Sequence, residues 1–275
     1  MPVSALVIFE GVSFRYEGND SYAIRDVYLE IRRGDFVLIA GMSGSGKSTL
    51  LRMMNGLIPH FYRGEMRGRV LVDGVDTRDA SVAQLARKVG LVFQNPDNQV
   101  VTLRVDREIA FGLENLGLPR EEIVRRVDYA LSKLRIEHLR RRSTYELSGG
   151  EKQLVSIASL IAMKPEVIAL DEPTSELDPY SAARIVRALK ELNRDGVTVV
   201  VAEHRLDLFA PASNRFIVVH DGRIVIESDP RDALYCKDLQ VFGVRDPGVV
   251  RYAKSRGVSA RRPLTVGELF RAMVR

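Results

Sequence analysis

A single cysteine, Cys236, occurs in 275 residues, so the chain can hold no internal disulfide and no cysteine-rich metal site. Long apolar runs are equally scarce. The densest, Ile157 to Met163, spans seven residues, well short of the ~18 that a membrane span needs. The apolar patch from Ala5 to Phe9 has no basic leader and no cleavage site beside it, which makes the cytoplasm the expected destination. Repeats of ~20–50 residues and low-complexity stretches are missing too, so no repeat array or disordered linker is expected.

Apolar residues make up 45% and charged residues 28%, a balance that belongs to a globular chain able to bury a large core. The length suits one large α/β domain with an appendage. Charge is unevenly placed. From Arg231 onward there are ten Lys/Arg against four Asp/Glu, a local +6, which leaves −1 for the rest of a chain whose net charge is +5. Such a basic tail could face nucleic acid, anionic lipid headgroups or simply water, and charge alone does not choose among them.

The hydrophobic pattern alternates between two periods. Val12, Phe14 and Tyr16 share one side of a strand over 5–16, and Asp26 to Ile31 reads as a second. Phe36 to Ala40 is short, wholly apolar and ended by glycine, as a buried parallel strand would be. A helix is expected from about Gly46 to Asn55, then a strand near Val89 to Phe93. Ile123, Val127, Ala130, Leu131 and Leu134 recur at helical spacing within a segment of helical pattern from about Arg104 to Arg142. Gly149 to Met163 is a further helix. Val167 to Leu170 and Val197 to Ala202 are strands around a helix over Ser181 to Asn193, and Asp221-Gly222 marks a hairpin. Strands alternating with helices imply a mostly parallel sheet covered on both faces. Asp246-Pro247-Gly248 breaks the tail into two pieces of a small C-terminal addition.

Within that frame, Gly41-Met42-Ser43-Gly44-Ser45-Gly46-Lys47-Ser48 matches the phosphate-loop pattern. Glycines let the backbone wrap a polyphosphate with its N–H groups inward, and the following helix adds its positive N-terminus. Lys47 would reach the β and γ phosphates, Ser48 would bind Mg²⁺, and Thr49 continues the nucleotide-binding turn. The pattern alone arises by chance in roughly one such chain in a hundred; the strand before it and the helix after it remove most of that risk. Val167 to Asp171 is an apolar strand ending in two acids, Asp171 and Glu172. Carboxylates there lie on the edge where α/β sheets bind ligands. Asp171 suits Mg²⁺, and Glu172 is placed to polarise a water attacking the γ-phosphate.

Ser148-Gly149-Gly150-Glu151, preceded by Leu147, opens an amphipathic helix with bare amides, hence a second anion site. One nucleotide does not obviously need two. At this point the sequence resembles the ATP-binding cassette (ABC) ATPases, over roughly residues 7–230. Their signature is this Ser-Gly-Gly segment, and two subunits pack head to tail so that each signature covers the ATP held by its partner's phosphate loop. The resemblance implies a P-loop α/β fold over residues 5–230. In it a mostly parallel sheet is joined by an antiparallel β subdomain and by an α-helical signature subdomain over about 95–163. It leaves 231–275 as a basic extension, for which it implies a dimer-stabilising role. It also implies that Tyr16 stacks on adenine, that Gln94 lies near Mg²⁺ and the attacking water, that Asp178 sits in a loop crossing the dimer interface, and that His204 contacts the γ-phosphate. Leu154 stands where many relatives carry arginine, and Glu203 where threonine is more usual.

Phe93-Gln94-Asn95-Pro96-Asp97-Asn98-Gln99 looks like the glutamine-loop segment of energy-coupling-factor transporter ATPases, importers of vitamins and transition-metal ions. That implies ATP and Mg²⁺ as cofactors, and as partners a second ABC ATPase, a membrane-embedded coupling protein and a substrate-binding membrane subunit, all at the cytoplasmic face of the membrane. The alternatives are another ABC transporter class or, from a different class, a DNA-maintenance ATPase. The last would carry a long coiled coil between phosphate loop and signature. Only 99 residues separate Ser48 from Ser148, and they show no sustained heptads, so no nucleic-acid partner is expected.

Overall fold

The computed structural model describes residues 5–175 and 177–274. Strands β1 (Ala5–Tyr16), β2 (Ile24–Arg32), β4 (Gly64–Val72) and the short β5 (Val75–Asp76) form an antiparallel sheet in the order β2-β1-β4-β5. β3 (Phe36–Ala40), β6 (Val89–Val92), β7 (Val167–Asp171), β8 (Thr198–Ala202), β9 (Arg215–His220) and β10 (Arg223–Ser228) form a second sheet in the order β10-β9-β3-β8-β7-β6. Every neighbouring pair in it is parallel except the β9–β10 hairpin at one edge.

β3, β7 and β8 are buried at every position, and the two-residue period of a strand divides their side chains between two cores. Phe36, Leu38 and Ala40 point into one core. It is closed by helices α4 (Val105–Asn115), α5 (Arg120–Leu134), α6 (Gly149–Met163) and α7 (Pro179–Arg194). Val37 and Ile39 point into the other, against α1 (Lys47–Met54), which precedes the short helices α2 (Leu57–His60) and α3 (Val82–Lys88), and against the antiparallel sheet. A sheet with both faces covered cannot show the polar–apolar alternation of a one-sided sheet, which is why these segments read as continuous apolar runs.

The strand at Gly64–Val72 was not legible in the sequence. Its first six residues, Gly-Glu-Met-Arg-Gly-Arg, lie partly or wholly exposed; only Val70 and Val72 are buried. It is a strand because it pairs with β1 from Tyr16↔Gly64 to Val7↔Val72. The other expected elements appear with ends shifted by a few residues at most. The helical segment after Arg104 divides into α4 and α5 at Leu116 to Pro119.

Beyond the hairpin, α8 (Leu206–Phe209) having preceded it, the chain continues through α9 (Pro230–Cys236), α10 (Gly248–Ser255) and α11 (Val266–Met273). Arg231 on α9 and Glu268 on α11 form a two-pronged ion pair at 2.8 and 3.0 Å. Burial of Leu239, Val244, Val250 and Leu264 in the first core seats this segment on the sheet. Its Gly243 lies against Met42 of the loop after β3.

Candidate active site

Four adjacent strands, β3, β8, β7 and β6, run parallel and end on the same edge, with Ile39 and Asp171 both in register with Ala202. The segments that leave these ends carry Gly41 to Ser48, Glu203 to Arg205, Asp171 with Glu172, and Gln94 respectively. This edge is where a parallel sheet presents ligand-binding groups.

The loop after β3 can turn as it does only with glycine at key places. Gly46 has φ 114°, and a Cβ there would sit 2.6 Å from the Ala23 carbonyl oxygen. Gly41, with φ 152°, lies directly against the Val219 carbonyl. Helix α1 follows with no side-chain cap at its start, so its first N–H groups remain available to an anion. Lys47 is nearly buried, 4% exposed. Its Nζ donates to the carbonyls of Gly41 (2.8 Å) and Met42 (3.0 Å) and lies 3.5 Å from His204 Nε2. Burial lowers its pKa, opposed by the charges of Glu172, Asp171 and Glu203.

Ser48 Oγ donates to Asp171 Oδ1 at 2.9 Å. Burial raises the Asp171 pKa, with the Ser48 bond and the nearby Arg52 opposing the shift. Next to it, Glu172 adopts φ 46°, unusual for a residue with a side chain, and its N–H donates to the Ala202 carbonyl at 2.9 Å. That backbone places its carboxylate between two partners. Oε2 accepts from Gln94 Nε2 at 2.9 Å, and Oε1 lies 3.1 Å from His204 Nε2. Lys47, His204, Glu172 and Gln94 thus form one chain of side-chain contacts, and Ser48 with Asp171 a second, adjoining it through the neighbouring residues Lys47–Ser48 and Asp171–Glu172.

Tyr16, at the end of β1, is half-buried, with its hydroxyl 3.0 Å from Thr49 Oγ1 and its ring edge-on to Phe14 and Tyr62. Gly44 and Ser45 lie within the loop's turn, Ser45 donating its N–H to the Met42 carbonyl at 3.1 Å, while Ser43 is exposed. The segment after Gln94 is a 3₁₀ turn over Pro96–Asn98, capped by Asn95. Gln99 ties it back to β6: its Nε2 donates to the Leu91 carbonyl and its Oε1 accepts from Phe93 N.

Ser148 caps α6 in a reciprocal capping box with Glu151 (2.8 and 3.3 Å). Gly149 has open space where a Cβ would be, whereas Gly150 packs near Leu177 and Ser181. No hydrogen bond among the described residues joins Ser148–Glu151 to the phosphate-loop cluster, so the chain does not bring its own signature to its own loop. Asp178 caps α7, accepting from the N–H groups of Tyr180 (2.8 Å) and Ser181 (3.0 Å).

In the sequence, Glu203 stands out only as a departure from a family pattern. It is a buried carboxylate bonded to Thr174, His204 and Arg205. The available signal was a charge directly after the apolar run Thr198 to Ala202, where it is expensive unless fully bonded.

Comparison with known proteins shows the family. The family model described as ABC transporter matches residues 24–175. The chain is 45% identical over 265 residues to a Pyrococcus horikoshii protein named among the ABC transporter ATP-binding proteins, covering 94% of this chain and 93% of that one. It is 41% identical to the energy-coupling factor transporter ATP-binding protein EcfA1 of Symbiobacterium thermophilum, covering 97% and 96%. Among solved structures, cbiO1 of Clostridium perfringens, part of the ABC transporter complex cbiONQ, matches with a TM-score of 0.75 at 32% identity over 92% of this chain and 95% of that one. The ATP-binding cassette MJ0796, a dimer bound to ADP and Pi in a post-hydrolysis state, matches with a TM-score of 0.72 at 31% identity over 82% and 98%. On the strength of the family match, the full-length relatives and the shared cassette fold, this chain belongs to the ABC transporter ATP-binding proteins and is an ATPase.

Proposed function

We propose that this chain energises a membrane importer of the energy-coupling-factor type, working as one of a pair of ATPase subunits at the cytoplasmic face of the membrane. The observation that carries the catalytic reading is the Glu172 carboxylate held between Gln94 Nε2 and His204 Nε2, on the same sheet edge as Lys47. In this reading Glu172 accepts a proton from the attacking water, Gln94 orients that water, and Lys47 and His204 stabilise charge on the γ-phosphate. The oxygens of Ser48 and Asp171, 2.9 Å apart, suit a hard divalent cation such as Mg²⁺, which shares few protein ligands with the nucleotide's phosphates. Bound there, Mg²⁺ would neutralise phosphate charge. Tyr16 offers its ring to adenine, and Ser148 to Glu151 serve the nucleotide of the second subunit, across an interface that includes the Asp178 loop. Closure and reopening of that pair drive the membrane subunits.

The likeness to EcfA1 and cbiO1, with the Asn95 to Gln99 segment, supports the importer branch. No helix among the described residues is long and apolar enough to cross a membrane, so the reading requires separate membrane subunits. Affinity purification of the tagged chain from detergent-solubilised native membranes tests it. The expected result is recovery of a coupling protein, a substrate-binding membrane subunit and a second ATPase copy or relative. Recovery without any membrane subunit, together with DNA-stimulated ATP turnover, would overturn it.

A further inference from the structure

The strand β8 ends in Ala202, and the next side chain is a carboxylate only 1% exposed, Glu203. A buried charge is costly unless it is paired or fully hydrogen-bonded. Among the described residues it forms no ion pair; four donors surround it instead. Thr174 gives its hydroxyl (2.6 Å) and its N–H (3.2 Å) to Oε2, while the N–H groups of His204 (2.7 Å) and Arg205 (3.2 Å) point to Oε1. The backbone of Glu203 is fixed as well, its N–H donating to the Ile39 carbonyl at 3.0 Å, two residues before the phosphate loop. Arg205 extends the same connection, donating from Nη1 to the carbonyls of Thr174 (3.0 Å) and Leu177 (3.1 Å).

One carboxylate therefore joins two separate loops. One oxygen holds the backbone that carries His204; the other holds the loop that carries Glu172 on one side and Asp178 on the other. A threonine at this position would offer one side-chain oxygen on a shorter stem instead of two oxygens set apart, and could not serve both.

We propose that Glu203 is a positioning residue for hydrolysis, locking His204 to the loop from Glu172 to Asp178 so that the two move as one body. The proposal deepens the functional reading above and rests on His204 facing the γ-phosphate. It follows that a partner subunit pressing on the Asp178 loop sets the placement of the His204 ring through Glu203 and Arg205.

The test uses the full chain and two variants. In Glu203→Gln the amide nitrogen cannot accept, so one pair of donors is orphaned; in Thr174→Val only the 2.6 Å hydroxyl bond is removed, which keeps the test open if the first variant fails to fold. Expected are a fall in kcat of about tenfold for the first and severalfold for the second, with the Kd for ATP within about twofold of wild type. The chain has four histidines, so the His204 ring resonance is assignable by its loss in His204→Ala. That resonance should shift in both variants, while those of His60 and His138 stay in place. An unmoved His204 signal, an unchanged kcat, or a loss of ATP affinity as large as the loss of turnover would each overturn the proposal. Wild-type turnover in His204→Ala would instead sink the histidine's assignment, whatever Glu203 does.

Discussion

Replacing Glu172 by glutamine exchanges one carboxylate oxygen for an NH2 group and changes almost no shape, so it separates chemistry from structure. The new side chain can still accept from Gln94 Nε2, now 2.9 Å from Oε2, and can turn its amide toward His204 Nε2, now 3.1 Å from Oε1. The backbone at φ 46° is no worse for glutamine than for glutamate. Stability should therefore change by less than about 0.5 kcal/mol. What disappears is a group able to take the proton of the attacking water. General-base catalysis contributes roughly 10²–10⁴-fold, equivalent to about 2.7–5.4 kcal/mol of barrier. Glu172→Gln should lose at least a hundredfold in phosphate release under saturating Mg-ATP, keep its affinity for ATP, and accumulate as an ATP-bound dimer on a sizing column. Turnover within about threefold of wild type, with an unchanged thermal midpoint, would refute the assignment of Glu172 as base.

Ser148→Arg places a bulky cation at the start of α6, outside the phosphate-loop cluster. ATP binding by the monomer should be unaffected while ATP-dependent dimerisation is abolished, as read by sizing chromatography. Gly46→Ala should cost about 2 kcal/mol or more, because its Cβ would lie 2.6 Å from the Ala23 carbonyl at φ 114°; a lowered thermal midpoint and lost nucleotide binding are the readouts. Tyr16→Ala should weaken ATP binding up to about tenfold if the ring stacks on adenine, with Tyr16→Phe near wild type in a fluorescence titration. In the C-terminal addition, the bidentate bond to Arg231 depresses the Glu268 carboxyl to about 2 against its ordinary 4.5. Its contribution is then fully present above about pH 4.5 and is lost as pH falls toward 2. After solvent screening of this partly exposed pair it amounts to roughly 1 kcal/mol. The thermal midpoints of wild type and Glu268→Gln should accordingly differ at pH 7 and converge on acidification; a gap independent of pH would exclude this source.

The site was far more legible than the scaffold around it, for physical reasons. Gly41 to Ser48 and the pair Asp171–Glu172 are local: their chemistry depends on neighbours in sequence, and strand burial on both faces writes itself as an apolar run. β4 is non-local, since Glu65, Arg67 and Arg69 lie in a strand only because β1 lies beside them. The burial of Glu203 is not legible locally, because it depends on donors 29 residues away at Thr174. Gln94 and His204 carry only a weak local signal, their place just after an apolar strand, and Asp178 is singled out by the family pattern alone.

The ammonium of Lys47, curled onto the carbonyls of Gly41 and Met42, gives the glycine loop an internal latch. On the proposed reading, a triphosphate would compete with those two carbonyls for the ammonium, offering charged oxygens in place of neutral ones. A polyphosphate, with several charged oxygens, would then be favoured over a more weakly charged anion in drawing the lysine from its two carbonyls.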